Sequence, residues 1–395
     1  MKQLIIQNGV LITAQGLLRN HALQIENGVI TAILPEPVKI RNGISVLDAK
    51  GLYISPGFVD IHQHGGGGCD YMDEAPDTYY RALSAHLQHG TTSVMPTLLS
   101  ATGDHTIRAA KQYVRALKDP RIRTNLLGLH VEGLYISPQQ AGAQNPDRIK
   151  NYDPAEYHAI WEAAEGHLKR WSAAPELPGA EEFARFAREQ GTVLSIAHSD
   201  AGFDMVLQAF DWGFCHVTHL YSAMSTVIRR GGFRIAGVLE AAYYLDDLNV
   251  EIIADGCHLP PSLLKLVTKL KKPGTVALIT DAMRAAGQHA AKSFLGSADD
   301  PTPVVIEDGV AKLPSREAFA GSIATADRLV KTMLEIGIPL EEAVQMVTQI
   351  PLRMMGLDIR KGQLCCGYDA DLCLFDESIQ IHAVLVGGEV VSGVI

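Results

Sequence analysis

The sequence has few aromatic residues and only scattered cysteines. Aromatic residues make up 6% of its 395 positions, and its six cysteines show no repeated spacing. Small secreted domains instead carry closely spaced cysteines that form a disulfide framework. That class is therefore excluded, and the cysteines are expected to be reduced thiols in a cytoplasmic protein.

The chain also lacks an excess of positive charge. Lysine and arginine total 34 against 44 aspartate and glutamate, which gives a net charge of −10. A nucleic-acid or anionic-membrane partner would require a basic face, so neither is expected. No apolar run approaches the ~20 residues of a membrane helix. Residues 1–14 are interrupted by polar positions and do not resemble a targeting segment.

What the chain does contain is enough apolar sequence for a large core. Hydrophobic residues make up 47% and charged residues 20%, as in ordinary globular domains. At ~150 residues per domain the length suggests two or three domains, although α/β barrels exceed ~250 residues as one domain.

The two ends of the chain share one pattern. Short β-type runs joined by Asn-Gly turns fill the first 55 residues, as in LIIQNGVLITA, and similar runs fill the end of the chain. A free hairpin is only marginally stable. We therefore expect residues 1–55 and 350–395 to form one small β-sandwich domain, with residues 56–349 as a second domain.

Between the ends, apolar strands alternate with helical stretches, which predicts a (β/α)8 TIM-like barrel in the α/β class. A hairpin at 304–313 is expected before a last helix at 323–336. The predicted strands are 57–64, 91–99, 125–133, 167–176, 192–200, 214–220, 250–256 and 275–282. The helical stretches include 76–89, 103–118, 153–165, 180–190 and 260–270.

Polar residues follow these strands at their C-terminal ends, where barrel enzymes place their catalytic groups. Core packing does not explain why one apolar strand after another ends in a residue of a type that binds metals. The pattern therefore predicts a metal site at this end of the barrel. The residues are His62, His64, Glu132, Glu176, His198, His219, Asp255 and Asp281.

Taken singly, the candidate ligands differ in how strongly each indicates a metal site. His62 and His64 are two apart on one strand and share a face, but two hydrogen-bonded histidines would look the same. Glu132 is either a ligand or the partner of a buried cation. Singly, His198 and His219 are more often core histidines, and only the set favours a metal.

Asp281 ends the last strand, in LITDA. A carboxylate beside a metal-activated water suits the role of general base. The same residue also caps helices well, so position alone leaves both roles open.

These motifs, taken in order, resemble the amidohydrolase superfamily and, within it, the N-acetylglucosamine-6-phosphate deacetylases. The similarity covers residues 56–322, and the flanking segments resemble that family's split β-sandwich. The matching stretches include PGFVDIHQHGG, GLHVEGLYISPQQAGAQNP, IAHSDAGFD, VTHLYSAM, IADGCHL, LITDA and FAGS.

The resemblance implies a function and a set of roles. Glu132, His198 and His219 would hold the main divalent ion, expected to be zinc, and Asp281 would be the proton shuttle. His62 and His64 match a pair that binds a second ion in some members, so one or two ions per subunit are expected. The implied substrate contacts are Ala143, Gln144, Ser222, Ala223, Arg230, His258, Ala320 and Gly321.

The implied reaction is hydrolysis of N-acetylglucosamine 6-phosphate to glucosamine 6-phosphate and acetate by a homodimeric enzyme. The positions that differ from the family pattern are ones that would recognise the substrate. Gln144 stands where the family has a histidine, and glutamine donates a hydrogen bond but cannot titrate. Ser222 replaces an asparagine, Leu134 a proline, and VIRRGGFRIAG an Arg-Glu-Pro-Gly segment.

Three alternatives remain. A deacetylase of a different N-acyl sugar or N-acyl compound would use the same metal site. A cyclic-amide hydrolase such as a dihydroorotase or allantoinase usually has a carboxylated lysine at the end of strand four. That strand ends WSAAPE here, with Lys169 at its other end. A non-catalytic scaffold would typically have lost metal ligands, and none is missing.

Overall fold

The computed structural model describes residues 3–394, so residues 1, 2 and 395 of the predicted terminal domain lie outside the described part. Strands β1–β7 are Gln3–Gln7, Val10–Thr13, Gly16–Leu18, His21–Glu26, Val29–Pro35, Ser45–Asp48 and Tyr53–Pro56. Strands β8–β14 are Phe58–Gln63, Gly65–Gly66, Cys69–Asp70, Thr91–Leu98, Asn125–Leu126, Leu129–Glu132 and Leu168–Ala173. Strands β15–β20 are Val193–Ile196, Phe214–Val217, Ile228–Arg230, Phe233–Ile235, Asn249–Ile253 and Val276–Ile279.

The remaining strands and the α-helices follow the same order along the chain. Strands β21–β26 are Lys292–Leu295, Thr302–Glu307, Val310–Lys312, Leu372–Phe375, Ile381–Val386 and Glu389–Gly393. Helices α1–α5 are Thr78–Leu87, Gly103–Ala116, Pro154–Ala163, Ala180–Glu189 and Phe203–Trp212. Helices α6–α10 are Val238–Tyr244, Pro261–Leu270, Ala326–Glu335, Leu340–Met346 and Gln349–Met354.

Eight parallel strands form the predicted barrel in the order β8, β11, β13, β14, β15, β16, β19 and β20. A bridge between Gln63 and Ala282 brings the last strand back to the first. Each predicted strand range overlaps one of these strands, so the barrel prediction is confirmed. Strands β8 and β11 are buried along their whole length, as expected for a parallel sheet covered on both faces.

The surrounding helices are amphipathic and bury their apolar sides against the strands. In α4, Phe183, Phe186 and Ala187 are buried at helical spacing, while Glu181 and Glu182 occupy the first turn. Acidic side chains near the N-terminus of a helix interact favourably with its dipole and stabilise it. The helices therefore enclose the barrel and leave its C-terminal end to the loops.

The chain ends form two further sheets, with strand orders β5-β4-β1-β6 and β26-β25-β24-β7-β2-β3. Antiparallel pairing of β7 with β24 places Ser55 opposite Cys373, so the two ends meet as predicted. Their apolar side chains form a separate core that includes Ile6, Leu23, Ile54, Leu372 and Leu385. The architecture is a barrel with a small β-sandwich built from both chain ends.

Two segments differ from the predictions. The hairpin predicted at 304–313 belongs to a three-stranded sheet, β21-β22-β23. The last predicted helix begins at Ala326 rather than at 323, because Ser322 bridges Ala282 in extended conformation. Within residues 3–394, no helix combines the length and apolar character needed to cross a bilayer. All six cysteines are free thiols.

Candidate metal and substrate site

The candidate ligands lie at the C-terminal end of the barrel. Glu132 is the last residue of β13, and His198, His219 and Asp281 each lie two residues beyond a barrel strand. These last three have left-handed backbones, with φ of 46°, 32° and 48°. Non-glycine residues adopt this conformation at a cost, and it is concentrated at functional sites.

One group of candidate ligands is centred on Glu132. Its Oε1 atom lies 2.8 Å from His219 Nε2 and 3.3 Å from His198 Nε2. The ligand atoms of these three buried residues all lie within 4.8 Å of one another. One carboxylate and two imidazoles form a donor set that fits zinc.

A second group shares Glu132 with the His-x-His pair. His62 Nε2 lies 3.3 Å from His64 Nε2, and His64 Nε2 lies 3.3 Å from Glu132 Oε2. The ligand atoms of His62, His64 and Glu132 likewise all lie within 4.8 Å of one another. The Glu132 carboxylate thus lies between the two groups.

Backbone carbonyls set the orientation of two of the imidazoles. His198 Nδ1 lies 2.8 Å from the Gln140 carbonyl oxygen, and His64 Nδ1 lies 3.2 Å from that of Thr97. A carbonyl only accepts hydrogen bonds, so Nδ1 carries a proton and Nε2 is the ring atom left to bind a metal. Both Nε2 atoms therefore face the ligand groups.

The two carboxylates are ionised at neutral pH. Burial alone would raise the pKa of Glu132, but His62, His198 and His219 hold it well below its usual value. Burial likewise opposes ionisation of Asp281, and His64 and His62 hold its pKa below the usual value. Asp281 Oδ1 lies 3.1 Å from His64 Nε2. An ionised carboxylate at this place is able to accept a proton.

Nearby carboxylates raise the pKa values of both histidines of the His-x-His pair. Burial alone would lower the pKa of His62, but Glu132, Glu251 and Asp281 raise it to about 9. Asp281 and Glu132 likewise outweigh burial and raise the pKa of His64 to about 10. The carboxylates around these imidazoles therefore favour a positive charge here, whether it is a proton or a metal ion.

Metal binding at the pair is expected to release protons. An entering ion has to displace the protons of His62 and His64, so zinc affinity should keep rising with pH up to about 9 to 10, the values at which these groups lose their protons. Calorimetric titration near pH 7 in two buffers of different ionisation enthalpy measures the release. Identical heats in the two buffers would contradict the expectation.

A cavity of about 300 Å³ opens beside the ligand groups. Sugar-sized molecules bind in clefts of about this size, near 300 Å³ and above. Six of the predicted substrate contacts line it, together with His64, Glu132, His198, His219 and Asp281. They are Ala143, Gln144, Ser222, Ala223, His258 and Gly321.

The chain also matches a known protein family. Residues 53–391 match the model of the amidohydrolase family. This chain belongs to the amidohydrolase family. Members of the family are metal-dependent, which accords with the His/Glu groups of this chain.

Individual amidohydrolases resemble the chain over nearly its full length. An N-acetylglucosamine-6-phosphate deacetylase of Lysinibacillus sphaericus is 32% identical, over 98% of this chain and 97% of that protein. An N-acetylgalactosamine-6-phosphate deacetylase of Escherichia coli O157:H7 is 31% identical, over 97% of each chain.

Solved amidohydrolase structures have the same fold. The N-acetylglucosamine-6-phosphate deacetylase of Pasteurella multocida has a TM-score of 0.91 at 28% identity, over 99% of this chain and 100% of that chain. A mutant of the Mycobacterium smegmatis deacetylase in complex with N-acetyl-D-glucosamine-6-phosphate has a TM-score of 0.88 at 29% identity, over 98% of each chain.

Two predicted substrate contacts of this amidohydrolase do not line the cavity. Ala320 is buried, and its backbone N–H donates to the Ala311 carbonyl, while its neighbour Gly321 reaches the cavity. Arg230 lies on β17, half of an exposed hairpin that turns at Gly231 and Gly232. Substrate roles for Ala320 and Arg230 stay predictions.

Two polar side chains in the cavity are held by neighbours. The Gln144 amide donates from Nε2 to Glu132 Oε2 at 3.2 Å and accepts from the Ser100 backbone N–H at 2.9 Å. His258 Nδ1 lies 2.9 Å from Asp255 Oδ2. Asp255, noted only as a strand-end residue, therefore orients His258 rather than joining the ligand groups.

The strand-end residue Glu176 does not belong to the ligand groups, and several cavity-lining residues were not predicted from the sequence. Glu176 was noted among the strand-end residues, but it accepts hydrogen bonds from the Ser199 hydroxyl and the Asp200 backbone N–H. Other cavity-lining residues were not predicted as contacts, although Gln139, Gln140, Gly142 and Phe319 lie within the matching stretches. They are Leu99, Gln139, Gln140, Gly142, Leu295, Glu317, Ala318 and Phe319.

Proposed function

We propose that this chain is a metal-dependent deacetylase of N-acetylated hexosamine 6-phosphates, with N-acetylglucosamine 6-phosphate as the substrate. The observation that carries the proposal is the convergence of Glu132, His198, His219 and Asp281 at one cavity. The names of the similar proteins support the substrate class. The homodimer implied by the resemblance and the cytoplasmic location expected from the cysteine content belong to the same proposal.

In this proposal, Glu132, His198 and His219 hold the main divalent ion, and His62 and His64 join Glu132 in holding a second. The His/carboxylate donor set favours zinc. When bound, such an ion supplies Lewis-acid chemistry, which lowers the pKa of water and polarises a carbonyl.

Asp281 is the proposed proton carrier. As an ionised carboxylate, it takes a proton from the attacking water and delivers it to the amide nitrogen as the C–N bond breaks. The nitrogen requires that proton because an amide anion is a very poor leaving group. Acetate and the free amine are the products. The Gln144 amide contributes at most a hydrogen bond to the carbonyl oxygen, since it cannot titrate.

The remaining predicted contacts would hold the sugar. His258, oriented by Asp255, offers its second ring nitrogen to a sugar hydroxyl or phosphate. Ala143, Ser222, Ala223 and Gly321 would shape the cavity wall, beside Ala320. Arg230 would grip the phosphate, for which a guanidinium gives strong bidentate hydrogen bonds.

The phosphate role predicts a selective effect of replacing Arg230. The R230A variant is expected to have a KM about 10–100-fold higher for the phosphorylated sugar, because charge-assisted hydrogen bonds to the dianion are lost. Its KM for N-acetylglucosamine should stay unchanged. Acetate release from both sugars measures the difference.

Arg229 provides the matched control, since it pairs with Arg234 and lies on the opposite hairpin face from Arg230. R229A should leave KM for both sugars unchanged. If the wild-type protein has equal kcat/KM for the two sugars, the phosphate assignment is wrong, and the chain acts on a related N-acyl compound.

N-acetylgalactosamine 6-phosphate is a second candidate substrate, because a similar protein from E. coli O157:H7 is named for it. The two sugars differ only in the configuration at C4. A kcat/KM higher for the galactosamine derivative would select this second candidate.

A further inference from the structure

A fully buried ion pair lies inside the barrel beneath His62. Arg170 on β14 and Glu251 on β19 are each 0% exposed, and the Arg170 guanidinium donates to Glu251 Oε1. Barrel interiors are usually filled by layers of branched apolar side chains. Neither residue has a role in the reaction proposed above.

The second oxygen of Glu251 faces His62. Glu251 Oε2 lies 3.4 Å from His62 Nδ1, while His62 Nε2 lies 3.6 Å from Glu132 Oε1. Because a carboxylate only accepts hydrogen bonds, this contact keeps the proton on Nδ1. Once an ion displaces the proton of Nε2, the lone pair of that atom is directed at His64 and Glu132.

Arg170 is in turn fixed by hydroxyl groups of the barrel interior. Its Nη2 atom donates to Ser195 Oγ at 3.1 Å and to Thr218 Oγ1 at 3.2 Å. Ser172 Oγ, on the same strand as Arg170, lies 2.9 Å from Thr218 Oγ1 and joins the same network. A guanidinium held in this way keeps the Glu251 carboxylate from turning away from His62.

Stability alone gives little reason for this pair, since a buried ion pair is often no more stabilising than apolar residues of similar size. We propose that Glu251, held in place by Arg170, is a positioning residue that orients His62 for the second ion of the His62, His64 and Glu132 group. The inference rests on the proposed metal site. The main ion does not depend on Glu251, because a different group, the Gln140 carbonyl, orients its ligand His198 through Nδ1.

Two doubly substituted proteins test the proposal. One combines Arg170→Met with Glu251→Gln, and the other combines Arg170→Met with Glu251→Leu. Both leave the barrel interior without an unpaired charge, and they differ only in whether an acceptor faces His62. Zinc stoichiometry and competition with a chelator give the affinity for each ion, and circular dichroism checks that both proteins fold.

The wild type and the glutamine variant are expected to bind two ions, with the second-ion affinity nearly unchanged. In the leucine variant that affinity should fall about 10–100-fold, as is typical when the partner of a ligand is lost. The affinity for the main ion should not change. Equal second-ion affinities in the two variants would overturn the inference and leave the proposed function standing. A single ion in the wild type would overturn the second site as well.

The single substitution E251Q adds a test by rescue. With Arg170 present, the guanidinium requires the amide oxygen, so the amide NH2 turns towards His62 Nδ1 and favours a proton on Nε2. That tautomer cannot bind a metal, so E251Q should lose the second ion, and adding Arg170→Met should restore it. Relief of the unpaired Arg170 charge alone would restore the second ion equally in the leucine double variant. That result, or no restoration in the glutamine double variant, would also overturn the inference.

Discussion

Replacing Asp281 with asparagine is expected to lower kcat by about 10²–10⁴-fold, the usual contribution of a general acid–base group. Asparagine has nearly the same shape but cannot accept the water proton. The left-handed backbone at this position, with φ of 48°, is one that asparagine adopts readily. The fold and the metal content should therefore be preserved.

Acetate release from N-acetylglucosamine 6-phosphate, measured beside zinc content, checks this prediction. Equal zinc per chain in D281N and the wild type would show that the loss concerns proton transfer and not metal binding. A drop in kcat of less than tenfold would assign the proton transfer to another group, and His258 is the next candidate.

Replacing His198 or His219 with alanine is expected to remove metal and activity together. Each supplies one of the three atoms grouped around Glu132 Oε1, and two remaining ligands bind an ion poorly. Since a metal supplies several kcal/mol of transition-state stabilisation, activity should fall by at least about 10²-fold. Metal analysis and acetate release of the same preparation measure both effects.

His216 provides a matched control for these variants. It is also a buried histidine of β16, but it belongs to neither group of candidate ligands. H216A should keep its zinc. An H198A or H219A protein that keeps full zinc content would show that the replaced histidine is not a ligand.

The sequence was sufficient to predict the barrel, the sandwich and the grouping at the strand ends. Parallel strands must share one direction, so residues that follow them meet at one end of the barrel. That topology brings Glu132 and His219 to 2.8 Å although they are 87 residues apart. The parity of His62 and His64 likewise predicts that both imidazoles face the same side.

Other parts of the site depend on contacts that the sequence does not encode locally. The Gln140 carbonyl that orients His198 is a backbone atom, and its position is set by the path of a loop. Glu251 was visible as a carboxylate within the apolar run VEIIADG. Its partner Arg170 is 81 residues away, and no spacing rule connects positions across strands at that distance.

Substrate contacts were the least predictable part of the site. Arg230 lies on an exposed hairpin whose segment differs from the family pattern, so a motif position alone does not fix where its guanidinium reaches. Leu295, the last residue of β21, and Phe319, which bridges Lys312 at the end of β23, line the cavity, so the β21–β23 insertion contributes to the site. Periodicity identifies such an insertion as strands but does not indicate which residues it turns towards the site.

The most direct test of the account is acetate release from N-acetylglucosamine 6-phosphate by protein that has been stripped of metal with a chelator and then given zinc. We expect the metal-free protein to be inactive while folded, and activity to return in proportion to the zinc bound. Full activity in the verified metal-free protein would contradict the account.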